Sequence, residues 1–231
     1  MKKKINLILI AMQEELNVLL TMLPPFKKVD TDLGELIFFN IKEEEYLLML
    51  GRIGKVSTAL ILGRLYERYE IKRIFNMGTA GSLIKSINIG DIVIASEVIY
   101  HDVDVVGFNY DYGQVPGNPQ IFIPDEEYIS SHLKGSYDSF KIHKGRVISG
   151  DSFLTKDNIN RIPSFILEKA ICGEMEAGAI SQVGYNLNIP VIIIRTISDY
   201  IYAPSNGIDM DKNLKRACIN GSRVLLDLIT S

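Results

Sequence analysis

The sequence predicts an α/β fold on a largely parallel or mixed sheet, in one compact domain spanning residues 1–231. Three observations carry this. Short runs rich in Ile and Val recur without polar alternation, as in strands buried on both faces. Helical patterns, apolar at i, i+3, i+4 and i+7, lie between the runs. The chain of 231 residues, 47% apolar and 23% charged, can bury one ordinary core and offers no linker or internal repeat at which to divide it.

In chain order, Ile5 to Ala11 is the first strand. The basic start Met1-Lys2-Lys3-Lys4 does not make it a secretory signal, because Asn6 interrupts the apolar stretch, Gln13-Glu14-Glu15 follows at once and no small-residue cleavage site is present. Glu35 to Asn40 and Tyr46 to Arg52 read as a hairpin pair. Val56, Ala59, Leu60 and Gly63 follow the helical rule, a stripe expected to face the sheet. Strands follow at Arg73 to Met77, Asp91 to Ile99 and Arg146 to Ser149. Ile180, Val183, Gly184 and Leu187 form a second helical stripe, and Pro190 to Ser198 another strand. A long closing helix runs through Leu214, Ala217, Cys218, Gly221, Val224, Leu225 and Leu228, with Asp209 or Asp211 placed to cap its start. Tyr100 to Pro124 fits neither period and holds five aromatics, three prolines and three glycines. So long an irregular segment is usually functional; a ligand lid, a subunit contact and a plain surface loop are all open, and the aromatic content speaks against the last.

A net charge of -3 leaves no basic field for nucleic acid or anionic lipid, which points to a small-molecule partner. No apolar run approaches the ~20 residues of a membrane span. Cys172 and Cys218, without ligand spacing, read as reduced core thiols of a cytoplasmic protein. Neither a GxSxG elbow, an HExxH motif nor a Cys/His cluster at zinc spacing is present, and His132 and His143 read as solvated or structural. His101-Asp102 reads first as loop hydrogen bonding.

Ligands of open α/β sheets bind beyond the carboxyl ends of strands. Four groups fall there: Glu14-Glu15, Gly78-Thr79-Ala80-Gly81, Glu174-Met175-Glu176 and Ser198-Asp199. Singly, each acid reads as a helix-start residue meeting unsatisfied amides. Glu176 differs, because it lies four residues before Ile180 at the edge of a buried stripe, where an acid needs a partner. The glycines around Thr79 would let a ligand approach the backbone, although the turn matches neither GxxxxGK[ST] nor GxGxxG.

Taken together, Ala11-Met12-Gln13-Glu14-Glu15, Ser149-Gly150-Asp151-Ser152-Phe153, Glu174-Met175-Glu176-Ala177 and Arg195-Thr196-Ile197-Ser198-Asp199 resemble the bacterial methylthioadenosine/S-adenosylhomocysteine nucleosidases. Gly54-Lys55-Val56, Gly90-Asp91-Ile92-Val93, Tyr100-His101-Asp102-Val103-Asp104-Val105 and Tyr112-Gly113-Gln114-Val115-Pro116-Gly117 extend the likeness over nearly the whole chain. The resemblance implies a nucleoside phosphorylase-like fold, three-layer α/β/α around a mixed central sheet, and a homodimer. It implies hydrolysis of the N-ribosidic bond of methylthioadenosine and S-adenosylhomocysteine, with deoxyadenosine as a further substrate, and no metal or other cofactor.

The roles implied by the resemblance are specific. Asp199 would protonate purine N7, Glu15 would act as base for the attacking water, and Glu176 would accept from ribose hydroxyls. Phe153 would stack on adenine while backbone groups of Ser152, Phe153 and Leu154 read its edge. Met12, Ile53 and Met175 would line the ribose and thioether region. Arg195 and Thr79 would help hold the water, with Ser198 beside them. Val105, Phe108 and Pro116 would close the alkylthio pocket from the partner subunit. The chain departs from the family at Thr79, where Ser is usual, at Arg52, where Gly is common, and over Tyr200 to Met210, where Ile208 or Met210 is the candidate lid residue. Two other readings are a phosphate-dependent nucleoside phosphorylase and an inactive nucleoside-binding protein. Asn76, where phosphorylases typically carry Arg, speaks against the first, and the three acids against the second.

Overall fold

A computed structural model of the protein describes residues 2–133, 135–204 and 206–231. The elements in order are β1 (Lys3–Ile10), α1 (Gln13–Leu20), β2 (Phe26–Thr31), β3 (Gly34–Ile41), β4 (Glu44–Leu50), α2 (Lys55–Arg68), β5 (Tyr69–Ser82), β6 (Ile92–Tyr100), β7 (Ile121–Phe122), α3 (Glu126–His132), β8 (Ile142–Ser149), α4 (Ser164–Leu167), β9 (Ala170–Glu174), α5 (Ala177–Leu187), β10 (Val191–Tyr200) and α6 (Asn206–Thr230).

The strands form one mixed sheet, ordered β10-β6-β8-β9-β5-β1-β4-β3-β2, with β7 on β6. Because β10 also pairs with β5, half of the sheet closes on itself. The parallel set β4-β1-β5-β10 lies at its centre, and the expected hairpin is the antiparallel pair β3-β4.

Alternation along β1 builds the layers. Ile5, Leu7 and Leu9 join a core with Ile61, Leu62 and Leu65 of α2 and Ile180 of α5. Ile8 and Ile10 join a second core with Leu16 and Leu19 of α1 and Val224, Leu225 and Leu228 of α6. Both faces of the strand are thus covered, which explains the unbroken apolar run Leu7 to Ile10. Cys172 and Cys218 are buried free thiols. Among the described residues, no helix is long and apolar enough to cross a membrane.

Three expectations need correction. The stripe Val56, Ala59, Leu60 and Gly63 of α2 does not face the sheet, since Val56 is 78% and Leu60 63% exposed. The neighbouring stripe Thr58, Ile61, Leu62 and Leu65 is buried instead. It has the same spacing and larger side chains, so turning it inward removes more apolar area from water. Second, α6 begins at Asn206, so Asp209 lies in its first turn and Asp211 further inside, and neither precedes the helix. Third, β5 runs on through Gly78-Thr79-Ala80-Gly81 to Ser82, and β10 through Ser198 and Asp199 to Tyr200. The expected turn is continuous strand.

Candidate active site

The pocket forms where β1, β5, β9 and β10 end together; β5, β9 and β10 deliver polar side chains themselves, and β1 leads into α1, which delivers Glu15. Pairing of β10 with β5 slips between Ile197, opposite Ala80, and Asp199, opposite Gly81. The slip leaves Ser198 as the extra residue of a bulge and aims Asp199 at the cavity. Gly81 makes room for it, since a Cβ there would stand 2.9 Å from Asp199 Oδ2. Ser198 Oγ donates to Asp199 Oδ1 at 2.7 Å.

Glu15 occupies the first turn of α1 and is 1% exposed. Its Oε1 accepts the Thr79 N–H at 3.0 Å and its Oε2 the Met12 N–H at 3.1 Å. It is therefore both a helix-start acid and a pocket acid. Burial raises its pKa from the ordinary carboxylate range to about 7, against the pull of these amides and of Arg195.

Glu174 and Glu176 divide their work. Glu174 caps α5, accepting the N–H groups of Glu176 and Ala177, and receives Nε and Nη2 of Arg195. Burial works against its charge, but the Arg195 guanidinium, the Ser149 hydroxyl and the amides outweigh burial and hold it ionised below its ordinary value. Glu176 accepts the Gly54 N–H at 3.0 Å. Burial first, then the charge of Glu174, push it up to about 8.

Arg195, 1% exposed, is the only cation among the described residues lining the pocket. All five of its N–H groups meet protein acceptors, so Arg195 has none left for the attacking water that the resemblance assigned to it. Nε goes to Glu174, Nη1 to the carbonyls of Asn76 and Ile194, and Nη2 to Glu174 and the Asn76 side-chain oxygen. Asn76 is fixed in turn by its donation to the Leu9 carbonyl at 3.0 Å.

The cavity holds about 600 Å³, its open mouth included. Glu15, Glu176 and Asp199 line it together, with Met12, Ile53 and Thr79. So do Phe153, Met175, Arg195 and Ser198. Its other walls include Ala11, Met77, Gly173 and Glu174. Of the two lid candidates, Met210 reaches the pocket and Ile208, 60% exposed, does not; Ser205, in the same segment, lies outside the described residues.

Five expected residues are not in the lining. Ser152 is exposed, and Leu154 packs with Ile99, Ile148 and Ile201. Val105, Phe108 and Pro116 lie on the irregular segment, where Phe108 is 78% exposed. Arg52, at φ +59° and exposed, turns away to a surface depression shared with Asp32, Ser57 and Arg64. His132 stacks on Tyr128, and His143 pairs with Asp91 at 3.1 Å. His101 is buried, with its pKa lowered by that burial.

Sequence reasoning named Glu174 without giving it a task and met Asn76 only as the place of a missing Arg. The legible signal was Arg195 itself. A cation after Ile192-Ile193-Ile194 on a buried strand requires a buried carboxylate partner.

Residues 7–230 match the profile of the phosphorylase superfamily. A 5'-methylthioadenosine/S-adenosylhomocysteine nucleosidase of Bacillus cytotoxicus is 34% identical over 221 residues, covering 95% of each chain. A Borrelia burgdorferi structure with adenine bound superposes with a TM-score of 0.91 at 31% identity, over 97% of this chain and 99% of that one. The nucleosidase of Streptococcus pneumoniae, solved with the transition-state inhibitor MT-ImmA, gives 0.88 at 32% identity, over 98% of both.

Proposed function

The chain belongs to the phosphorylase superfamily and to its methylthioadenosine/S-adenosylhomocysteine nucleosidases, and from that premise we infer the reaction and the part each pocket residue takes in it. The enzyme is an N-glycosyl hydrolase. It cleaves the N-ribosidic bond of methylthioadenosine and S-adenosylhomocysteine, releasing adenine with methylthioribose or S-ribosylhomocysteine.

Breaking this bond leaves electrons on adenine and positive charge on the sugar. Asp199 gives its proton to purine N7, which makes adenine a better leaving group. Glu15, near 7, is ionised in a large fraction of molecules at neutral pH and takes a proton from the attacking water. Glu176, near 8, is mostly neutral in the unliganded site. Growing positive charge on the ribose favours its ionised form, so its bonds to the ribose hydroxyls strengthen as the bond breaks. Phe153, the one member of its segment in the lining, stacks on adenine, and its backbone reads the adenine edge. Met12, Ile53 and Met175 surround the sugar and thioether, while Thr79 and Ser198 hold Glu15 and Asp199 in place.

The observation that carries water over phosphate as acceptor is the saturation of Arg195. An inorganic phosphate would face Glu15, Glu176 and Asp199, and the sole cation of the lining has no N–H left to give it. Product analysis tests this: the sugar product is expected free, and a sugar 1-phosphate would contradict the reading.

The same reading takes residues 1–231 as one cytoplasmic domain working as a homodimer. Exposed Val56 and Leu60 on α2 and Val106 and Phe108 on the irregular segment support the subunit contact. Val105, Phe108 and Pro116, absent from their own pocket, then close the partner's alkylthio site.

A further inference from the structure

Three motifs take no part in lining the pocket: Lys55 at the start of α2, His101-Asp102 after β6, and Gly150-Asp151 ahead of Phe153. The fold gathers them into one ring of contacts. Lys55 Nζ lies 2.9 and 2.8 Å from the two oxygens of Asp102. Asp102 Oδ2 also accepts the Asp151 N–H at 2.8 Å. Asp151 Oδ1 accepts the Lys55 N–H at 2.8 Å and closes the ring. Each aspartate thus holds an amide of another segment, and the Lys55 and Asp102 side chains are only 24% exposed, which limits screening of their charges.

The packing around the ring leaves little slack. A Cβ on Gly150 would stand 2.5 Å from the His101 ring and 2.7 Å from Asp102 Cγ, so the loop lies directly on both side chains. Gly54, at φ +92°, precedes Lys55, and a Cβ on it would stand 3.1 Å from Asp151 Oδ1. The Gly54 N–H is the group that donates to Glu176 Oε1. Whatever fixes Lys55 therefore fixes that donor, one residue away.

We propose that Asp102 is a positioning residue of the nucleosidase reaction, acting through Lys55 and Asp151 to hold the Gly54 N–H on the Glu176 carboxylate. This rests on the assignment of Glu176 to the ribose hydroxyls. With Asp102 changed to Asn, the Lys55 ammonium loses its nearer counter-charge and keeps only the Asp151 carboxylate, 3.9 Å away, while Asp151 loses the group that holds its N–H. Glu176 then loses a fixed orientation rather than its chemistry.

A double-mutant cycle tests the link. Steady-state kcat/KM for methylthioadenosine is measured for the wild type, Asp102→Asn, Glu176→Gln and the double variant, with thermal melting as the fold control. Asp102→Asn is expected to lower kcat/KM on the order of 10- to 100-fold, the scale of a misplaced reacting group. In the Glu176→Gln background it is expected to cost less than about threefold, because the group it positions is already gone. Lys55→Met, which removes the cation of the ring, is expected to give the same non-additive pattern if Asp102→Asn folds poorly. Additive losses, or an unchanged kcat/KM in Asp102→Asn, would overturn the positioning role and leave the nucleosidase reading intact. Wild-type protein that releases no adenine from either thioether would overturn that reading itself.

Discussion

Glu15 shows how one residue serves two purposes. Its place in the first turn of α1 is the ordinary one for an acid, and the amides of Met12 and Thr79 fix both oxygens. Burial then brings its pKa to the working range of a base. In Glu15→Gln one of those amides would face a side-chain NH2, and the proposed base would be gone. We expect Glu15→Gln and Asp199→Asn each to lower kcat at least ~100-fold, read as adenine release; near-normal turnover in either would remove its role. Stability carries the same signature. The folded pKa values of Glu15 and Glu176, about 7 and about 8, exceed the ordinary 4.5. Their contribution is therefore complete below the ordinary value and is lost as pH rises through the folded ones. His101, shifted down, acts in the opposite sense only below its ordinary 6.5. Between pH ~6.5 and ~8.5 the unliganded protein should lose roughly 1–3 kcal/mol. A denaturation midpoint that stays flat or rises over this interval would contradict the shifts.

Among the elements, the strands were the most legible part, because apolar runs such as Ile192-Ile193-Ile194 have no other stable place than a sheet covered on both faces. Their ends were not legible. Polar Thr79 and Asp199 look like loop, yet they lie in β5 and β10, where pairing continues past the point at which the core ends. The register of α2 was misread for a related reason: its two stripes have equal spacing, and only the competition between side chains for the core decides between them. The three acids were found through their order along the chain, whereas the Glu174-Arg195-Asn76 network needed the fold, which brings residues 119 positions apart into contact. Gly81 carries a prediction at this scale. Its Cβ would stand 2.7 Å from Ile201 Cγ1 and 2.9 Å from Asp199 Oδ2. Gly81→Ala should therefore displace the acid and lower kcat by about 10- to 100-fold; unchanged turnover would show that Asp199 does not depend on this close approach.

For the whole molecule, two layers of helices on a sheet that is half closed leave the acidic pocket at one end of the strands. They also leave an apolar surface on α2 and the 101–120 segment. Such a surface on a folded protein calls for a partner, and the proposed homodimer would cover it with a second copy that completes the alkylthio site. Sedimentation should find dimers at assay concentration, with Phe108→Ala raising KM for methylthioadenosine more than it lowers kcat; monomers with full activity would contradict this. The central claim is that a pocket of carboxylates around a saturated arginine excludes phosphate and admits water. Its most direct measurement is the rate of adenine release from methylthioadenosine and S-adenosylhomocysteine in phosphate-free buffer and again with saturating phosphate. Full turnover without phosphate, unchanged on its addition, is the predicted result, and release that requires phosphate would contradict it.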